Sequence, residues 1–369
     1  MQIKRHARSP RRQTGVSLIE LMIALVLGLL VVAGASAVFM SNKQTYGTSE
    51  TINRIQENER TSFELMSRDL REAGGNPCSV RARRVNHLTV ATSTNDWWNS
   101  SADGIRGYGG GETTPGTAKG SGVGQRITRA TGNDVVDIHL AADGNIRVLE
   151  HDNPSANVQV SNSDGLNVGD VVMICNMDYQ MVFRITQLNS AGGGIGVQHN
   201  GGSSGNCSQV FQIFDDVADC NPGASGDGYC FTASTNPNCD EVGQSPAQIS
   251  RVFAARWYIG NNARGGTSLY RTEVTNATGA PTAAAPVEIA EGATAMTITY
   301  LRQGQTAFVP AATITAADAW ANVVAARVSI TFTGTEGALR GTYIEGTDGE
   351  ALERTVVNVV TLRNREEML

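Results

Sequence analysis

The sequence predicts an α+β protein in which a long N-terminal transmembrane and amphipathic helix packs on a mostly antiparallel, β-rich head with large disulfide-stapled loops. An apolar run over residues 16–40 and apolar residues at helical spacing from there to Ala73 predict the helix. Short apolar runs from Gly74 onward, separated by turn residues that include five Asp-Gly pairs, predict the head. Six cysteines, all after the apolar run, predict the stapled loops.

The charge of the chain is divided by position. The net charge is −6, from 29 basic and 35 acidic residues. The first 15 positions hold no acidic residue and five basic ones, namely Lys4, Arg5, Arg8, Arg11 and Arg12. The rest of the chain therefore has a net charge of −11. An acidic chain of this kind does not favour nucleic-acid contact, so we expect no direct nucleic-acid binding.

The apolar run is long enough to cross a membrane. Residues 16–40 form a helix about 37 Å long, whereas the hydrocarbon core of a bilayer is about 30 Å thick. The basic residues before it hold the N-terminus in the cytoplasm, which predicts a single-pass inner-membrane protein with its head in the periplasm. A cleaved secretory signal, an uncleaved signal anchor and a buried core helix are the competing interpretations. The run exceeds the 7–15 apolar residues of a secretory signal, and a core helix would not follow five positive charges.

Glu20 is the single ionisable side chain in this run. A carboxylate in the bilayer costs on the order of 2.5–3.5 kcal/mol on insertion scales, and a plain signal anchor offers no reason to place one there. Glu20 therefore needs a partner of opposite charge.

Residues 15–25, which read GVSLIELMIAL, resemble the class III signal of type IV prepilins. The resemblance implies that residues 1–15 are a leader, that a prepilin peptidase cuts between Gly15 and Val16, and that the new N-terminus at Val16 is methylated. It also implies a role for Glu20 in subunit assembly, by pairing with the N-terminal amine of a neighbouring subunit. Val16 departs from the family pattern, because most pilins have phenylalanine there.

The helix is expected to continue beyond the membrane as an amphipathic half over residues 41–73. Glu50/Arg54 and Glu64/Arg68 are spaced as i,i+4 pairs, and Gly74 begins a stop signal that ends in Pro77. The apolar stripe predicts packing on the chain's own head, and its members are Ile52, Ile55, Phe63, Met66 and Leu70.

The head is expected to comprise residues 74–369. Two segments rich in Gly, Ser and Asn, 97–124 and 189–243, are expected to be long loops inserted between strands. Nine strands are predicted, at residues 134–140, 146–150, 170–174, 180–185, 252–259, 268–271, 297–301, 323–333 and 356–362.

Disulfides are the expected state of the cysteines, because the head faces an oxidising compartment. The spacings contain no C-x-x-C pair, which argues against zinc, and fifteen pairings are open on paper. The candidates are Cys78, Cys175, Cys207, Cys220, Cys230 and Cys239.

Four segments towards the C-terminus resemble PilW-type minor pilins, the pilus counterpart of the J-type minor pseudopilins of type II secretion. They are SLYR at 268–271, IAEGA at 289–293, NVVAARVS at 322–329 and VTLRNR at 360–365. The resemblance implies a structural subunit that joins other minor pilins and the major pilin, starts pilus assembly at the tip through the inner-membrane assembly machinery, and supports twitching, adhesion or DNA uptake. It also favours a Cys78–Cys175 pair, with the other four cysteines stapling the insertion. A type II secretion pseudopilin and a single-pass periplasmic binding or sensor protein are the alternatives.

Signals for catalysis, cofactors and metals are weak. Residues 201–205 match G-x-S-x-G, but without the strand and helix that a nucleophile elbow needs. Lys119 precedes Gly-Ser in the wrong order for a phosphate loop. The acidic run lacks EF-hand spacing, although a loop calcium is the alternative there, and its members are Asp215, Asp216, Asp219 and Asp227. We therefore expect neither an enzyme nor a resident cofactor or metal.

Overall fold

The structure is a computed structural model that describes residues 15–79, 81–89, 97–99, 104–115, 128–141, 145–152, 156–191, 194–202, 205–214, 219–224, 228–232, 239–276, 281–334 and 351–368. The chain divides into two compact units, Met1–Asn53 and Arg54–Leu369. Helix α1 (Leu18–Glu72) runs through both units, and each unit is described by itself below.

The first unit contains the N-terminal part of α1. The helix begins at Leu18, two residues later than predicted, because the Ser17 hydroxyl accepts the backbone N–H of Glu20 at 3.2 Å and so caps it. The side chains of the apolar run are exposed from Val16 to Met40. By length and composition, this helix is apolar enough to cross a membrane.

In the second unit, the rest of α1 packs on the β-rich head. Ile55, Phe63, Met66 and Leu70 are buried along one stripe, as their helical spacing predicts. Ile52, which was predicted to belong to the stripe, is 39% exposed and lies in the first unit. The predicted α+β class, with the helix packed on a β-rich head, is confirmed. The helix ends at Glu72, where Gly74 takes the positive φ of 72° that favours glycine at a helix C-terminus.

Nineteen strands and one short helix form the described part of the head. The helix is α2 (Ala311–Ala316), and 3-10 turns lie at Trp97–Asn99, Trp320–Asn322 and Arg363–Met368. The strands are β1 (Arg83–Asn86), β2 (Ile105–Tyr108), β3 (Val135–Ala141), β4 (Ile146–Asp152), β5 (Asn157–Val160), β6 (Val171–Cys175), β7 (Tyr179–Arg184), β8 (Gln187–Ala191), β9 (Gly194–Gln198), β10 (Tyr229–Cys230), β11 (Glu241–Val242), β12 (Gln248–Asn261), β13 (Thr267–Thr275), β14 (Thr282–Ala283), β15 (Val287–Glu291), β16 (Ala293–Arg302), β17 (Val309–Pro310), β18 (Val323–Thr333) and β19 (Glu353–Thr361).

The strands pair mostly antiparallel, as predicted. The largest sheet follows the order β1-β7-β6-β12-β4-β5-β9-β8, and its other members join through β3 and β13 on the long strand β12. A four-stranded sheet has the order β17-β16-β18-β19. The parallel pairs in the described part are β1 with β7 and β10 with β11. Strand β12 belongs to two parts of the large sheet, because its residues 248–251 pair with β6 while its residues 252–258 pair with β3.

The described part of the head contains two large hydrophobic cores and two smaller clusters. The first core lies between α1, β12 and the β16–β18 sheet, with Leu70, Trp257 and Ile298 among its fully buried members. The second core lies among β4 to β9 and the segment that follows them, with Phe183, Phe211 and Phe231 among its members.

The two predicted loops are only partly loops. Residues 97–124 contain β2, which pairs with β3, and residues 189–243 contain β9, β10 and β11. The β8–β9 hairpin pairs with β5, so the ladder hydrogen bonds of a neighbouring strand outweigh the poor strand propensity of Asn189, Gly194 and Gly196.

Three disulfides join the six cysteines. Cys78 is bonded to Cys175, across a sequence separation of 97 residues, in the pairing that the family resemblance implies. The other two disulfides staple the insertion and are Cys207–Cys220 and Cys230–Cys239.

Candidate functional site: the N-terminal segment and the helix that carries it

The candidate processing and assembly residues lie within six positions at the start of α1. Gly15, Val16 and Ser17 precede the helix, and nothing lies within 4 Å of the position where a Cβ on Gly15 would stand. Glu20 lies in the first helical turn, where the positive end of the helix dipole favours a carboxylate. The backbone around the Gly15–Val16 bond is therefore outside the helix and unobstructed within the described residues.

The helix surface around Glu20 is apolar and exposed. Leu18, Ile19, Leu21 and Met22 surround the carboxylate along the chain, and each is more than half exposed. An exposed apolar surface of this extent marks a membrane or protein contact. The arrangement places one charged group on a surface that lipid or other apolar helices can cover.

The second unit fixes its part of α1 through Asp69. One carboxylate oxygen, Oδ2, accepts hydrogen bonds from the Trp257 indole N–H and from Arg271 Nε, each at 2.8 Å. Trp257 is fully buried and Arg271 is 30% exposed, so the pair is shielded from water. Burial lowers the pKa of Arg271, but the hydrogen bonds and charges of Asp69 and Glu273 raise it above its ordinary value overall.

Further polar contacts join α1 to the rest of the head. Asn58 donates to the backbone carbonyl of Glu291 at 2.9 Å, and Glu59 forms an ion pair with Arg354 at 3.1 Å. Asn364 donates to the carbonyl of Glu72, one of the carbonyls left open at the end of the helix. The sequence analysis did not predict these contacts, although Arg271, Glu291 and Asn364 lie in the C-terminal segments that it singled out. The available signal was Asp69 itself, an acidic residue between the buried stripe positions Met66 and Leu70.

The other residues singled out in the sequence do not form a site in the described part of the chain. His87, His139, His151 and His199 are all buried. Within the described ranges, no group of three or more His, Cys, Asp or Glu side chains is arranged to hold a metal ion. Lys119, Ser203, Ser204, Asp215, Asp216 and Asp227 lie outside the described residues, as do the five basic residues of the leader.

A family model described as the prokaryotic N-terminal methylation motif matches residues 10–36. The match identifies a type IV pilin-like prepilin leader and supports a type IV pilin-like or pseudopilin-like protein. Such a motif implies processing by a prepilin peptidase and handling by pilus or secretion assembly machinery. Together with the apolar helix, it indicates membrane anchoring, and the family of this motif is structural rather than enzymatic.

Comparison of the chain with curated proteins and with solved structures gave no match.

Proposed function

We propose that this chain is a minor pilin of a type IV pilus, a PilW-type subunit that helps to start pilus assembly. The observation that carries the proposal is the placement of Glu20 in the first turn of an exposed apolar helix, directly after the Gly15–Val16 bond and inside the methylation motif. A plain membrane anchor needs the apolar helix, but it needs neither a methylation motif at the start of the helix nor a carboxylate within it. A subunit that packs its helix among others has a use for all three.

The proposed maturation removes residues 1–15 by cleavage after Gly15 and methylates Val16. Cleavage creates a cationic amine on Val16, four residues before Glu20 along the chain, at the membrane edge. An opposite charge is the least costly partner for a carboxylate in lipid, so Glu20 of one subunit pairs with the amine of another. With the leader attached this amine does not exist, which explains why cleavage precedes assembly.

In this proposal the head lies in the periplasm before assembly and at the cell surface afterwards. The partners are the other minor pilins, the major pilin and the inner-membrane assembly machinery, and the outcome is twitching, adhesion or DNA uptake. A position at the pilus tip suits a head with a second core and a doubly stapled insertion, because a tip position leaves room above the subunit.

Glu20→Ala tests the assembly role. The variant should be processed and inserted in the membrane as the unchanged chain is, with insertion easier by about 2–3 kcal/mol because a lipid-buried carboxylate is gone. It should no longer co-purify with other minor pilins, and surface pili should be lost. Glu57→Ala, which removes an exposed glutamate of the same helix outside the apolar run, should assemble normally.

Normal piliation and twitching in the Glu20→Ala strain would show that the carboxylate is dispensable. Deletion of the whole gene separates the pilus from its closest alternative. Loss of twitching with intact protein secretion supports the minor pilin, whereas loss of secretion with intact twitching would assign the chain to a type II secretion pseudopilus.

A further inference from the structure

The second core contains three buried histidines grouped around one phenylalanine. The ring of Phe211 lies 4.1 Å from His199 in a stacked arrangement, 5.1 Å from His151 and 5.3 Å from His87, measured between centroids. Phe183 and Phe231 complete the group at 5.4 Å and 5.7 Å from Phe211. These six residues are called the histidine cluster below.

The histidine cluster joins the stapled insertion, meaning the described residues between Cys207 and Cys239, to the large sheet. Phe211 belongs to the segment closed by the Cys207–Cys220 disulfide, and Phe231 follows β10 beside the Cys230–Cys239 disulfide. The histidines come from the sheet side: His87 follows β1, His151 lies in β4, and His199 follows β9. Any change in the charge of the histidines therefore acts on the contact between the insertion and the sheet.

Hydrogen bonds define which ring nitrogen carries the proton in two of these histidines. His87 Nε2 lies 2.8 Å from the Gln212 carbonyl, which only accepts, so this nitrogen carries the proton, and Nδ1 has no hydrogen-bond partner. His151 Nδ1 accepts the backbone N–H of Phe231 at 3.3 Å, so it carries none. A proton added at His151 Nδ1 would face the N–H of Phe231 and break that bond.

His199 has no hydrogen-bond partner at either ring nitrogen and is 1% exposed. Burial lowers its pKa well below the ordinary value, the neighbouring His151 and His87 lower it further, and the backbone of His199 itself has a smaller raising effect. Burial also lowers the pKa of His87, to about 4, against a smaller raising effect of the Gln212 carbonyl. Within the described residues no carboxylate acts on these two groups; Asp215 and Asp216, which follow Phe214, lie outside them.

We propose that the histidine cluster is an acid-sensitive lock, which holds the stapled insertion on the sheet at neutral pH and releases it when the histidines become protonated. The two disulfides limit the released segment to short closed loops, so reclosing needs only loss of the protons. Release would change the surface that the insertion presents, while the first core and α1, which contain none of the three histidines, stay folded.

The direction of the pH dependence follows from linkage. A histidine whose pKa is lower in the folded state contributes stability above its unfolded pKa of about 6.5, and that contribution is lost as the pH falls towards the folded pKa. Each such group raises the opening equilibrium constant by up to tenfold per pH unit. For His87, with a folded pKa of about 4, the whole change is about 300-fold.

Hydrogen–deuterium exchange on the full-length oxidised chain in detergent micelles tests the proposal, with protection factors corrected for the intrinsic pH dependence of exchange. Between pH 7 and pH 4, protection over residues 207–214 and 229–231 should fall by at least 100-fold, while β16 and β18 in the first core keep theirs. His199→Phe, which retains a ring on Phe211, should reduce the slope by up to tenfold per pH unit.

His87→Gln is the second variant, because its amide N–H still reaches the Gln212 carbonyl and it does not titrate. It should reduce the slope in the same way. His139→Gln is the matched control, since His139 is equally buried but lies outside the cluster beside Trp97, and it should leave the slope over residues 207–214 unchanged. Constant protection across the pH range, an equal loss in both cores, or an unchanged slope in both cluster variants would overturn the proposal.

Discussion

At the scale of single residues, Asp69 connects the helix to the head through one carboxylate. Asp69 accepts hydrogen bonds from the fully buried indole of Trp257 and from the guanidinium of Arg271, which is 30% exposed. The two donors lie 188 and 202 residues away along the chain. If the Asp69 carboxylate is removed, Trp257 and Arg271 lose this acceptor, and water does not readily replace it because the site is largely buried. The cost of an unsatisfied buried donor is about 1–3 kcal/mol, and more for a charged one.

Asp69→Ala should therefore lower the free energy of unfolding of the head by about 2–4 kcal/mol, because Trp257 and Arg271 lose their common partner. Urea unfolding of the full chain in micelles, followed by tryptophan fluorescence, measures the change. Glu64→Ala, at an exposed position of the same helix, is the control and should change stability by less than about 0.5 kcal/mol. Equal effects of the two substitutions would show that Asp69 does not hold the helix.

Gly107 is a second single position with a large expected effect. A Cβ there would overlap the hydroxyl end of the buried Tyr300 side chain, which lies against β2. Gly107→Ala should destabilise the first core by about 1–3 kcal/mol through overpacking, measured as a lower midpoint of thermal unfolding. Gly111→Ala meets nothing within 4 Å and should be close to neutral, so a comparable loss there would refute the steric explanation.

At the scale of elements, the strands that could be predicted from sequence are those that are rich in apolar residues. The predicted strand at 323–333 matches β18, in which Val328 and Ile330 lie on the buried face and Ser329 and Thr331 on the opposite face. Strand β9 was missed because three of its five residues, Gly194, Gly196 and Gln198, are glycine or polar. Its partner strand β5 is also distant in sequence. The stripe of α1 was predictable from spacing except for Ile52, which is exposed. The polar contacts of Asn58, Glu59 and Asp69 could not be predicted, because their partners are distant in sequence and only the fold brings them close.

The disulfides join different elements and should differ in how much each one stabilises the folded state. The Cys78–Cys175 bond closes a separation of 97 residues and the Cys230–Cys239 bond one of 9. On the chain-entropy model these correspond to about 4.7 and about 2.6 kcal/mol of stabilisation.

Paired Cys→Ser substitutions measure this difference. Replacing Cys78 and Cys175 should lower the urea midpoint of the head clearly more than replacing Cys230 and Cys239. The second pair should loosen mainly β10 and β11, which hydrogen exchange resolves. A larger effect of the short loop would contradict the chain-entropy explanation for this protein.

At the scale of the whole molecule, the chain combines an exposed apolar helix segment with a head that is stable through two cores and three disulfides. The N-terminal pattern was predictable from sequence because it is short and local, and the methylation-motif match covers residues 10–36, which include Gly15 and Glu20. The second core was not predictable, since its members come from strands and insertion segments that only the fold brings together. The proposed function accordingly rests on the N-terminal segment, while the proposed lock rests on the head.

The most direct test of the central proposal is the mass of the mature N-terminal peptide of the protein taken from the cell envelope. Cleavage after Gly15 predicts a chain that begins at Val16 and carries one methyl group on its amine, and Gly15→Val, which places a branched side chain before the scissile bond, should accumulate as an uncut precursor. A native chain that retains Met1, or a Gly15→Val variant that still begins at Val16, would contradict the assignment as a prepilin.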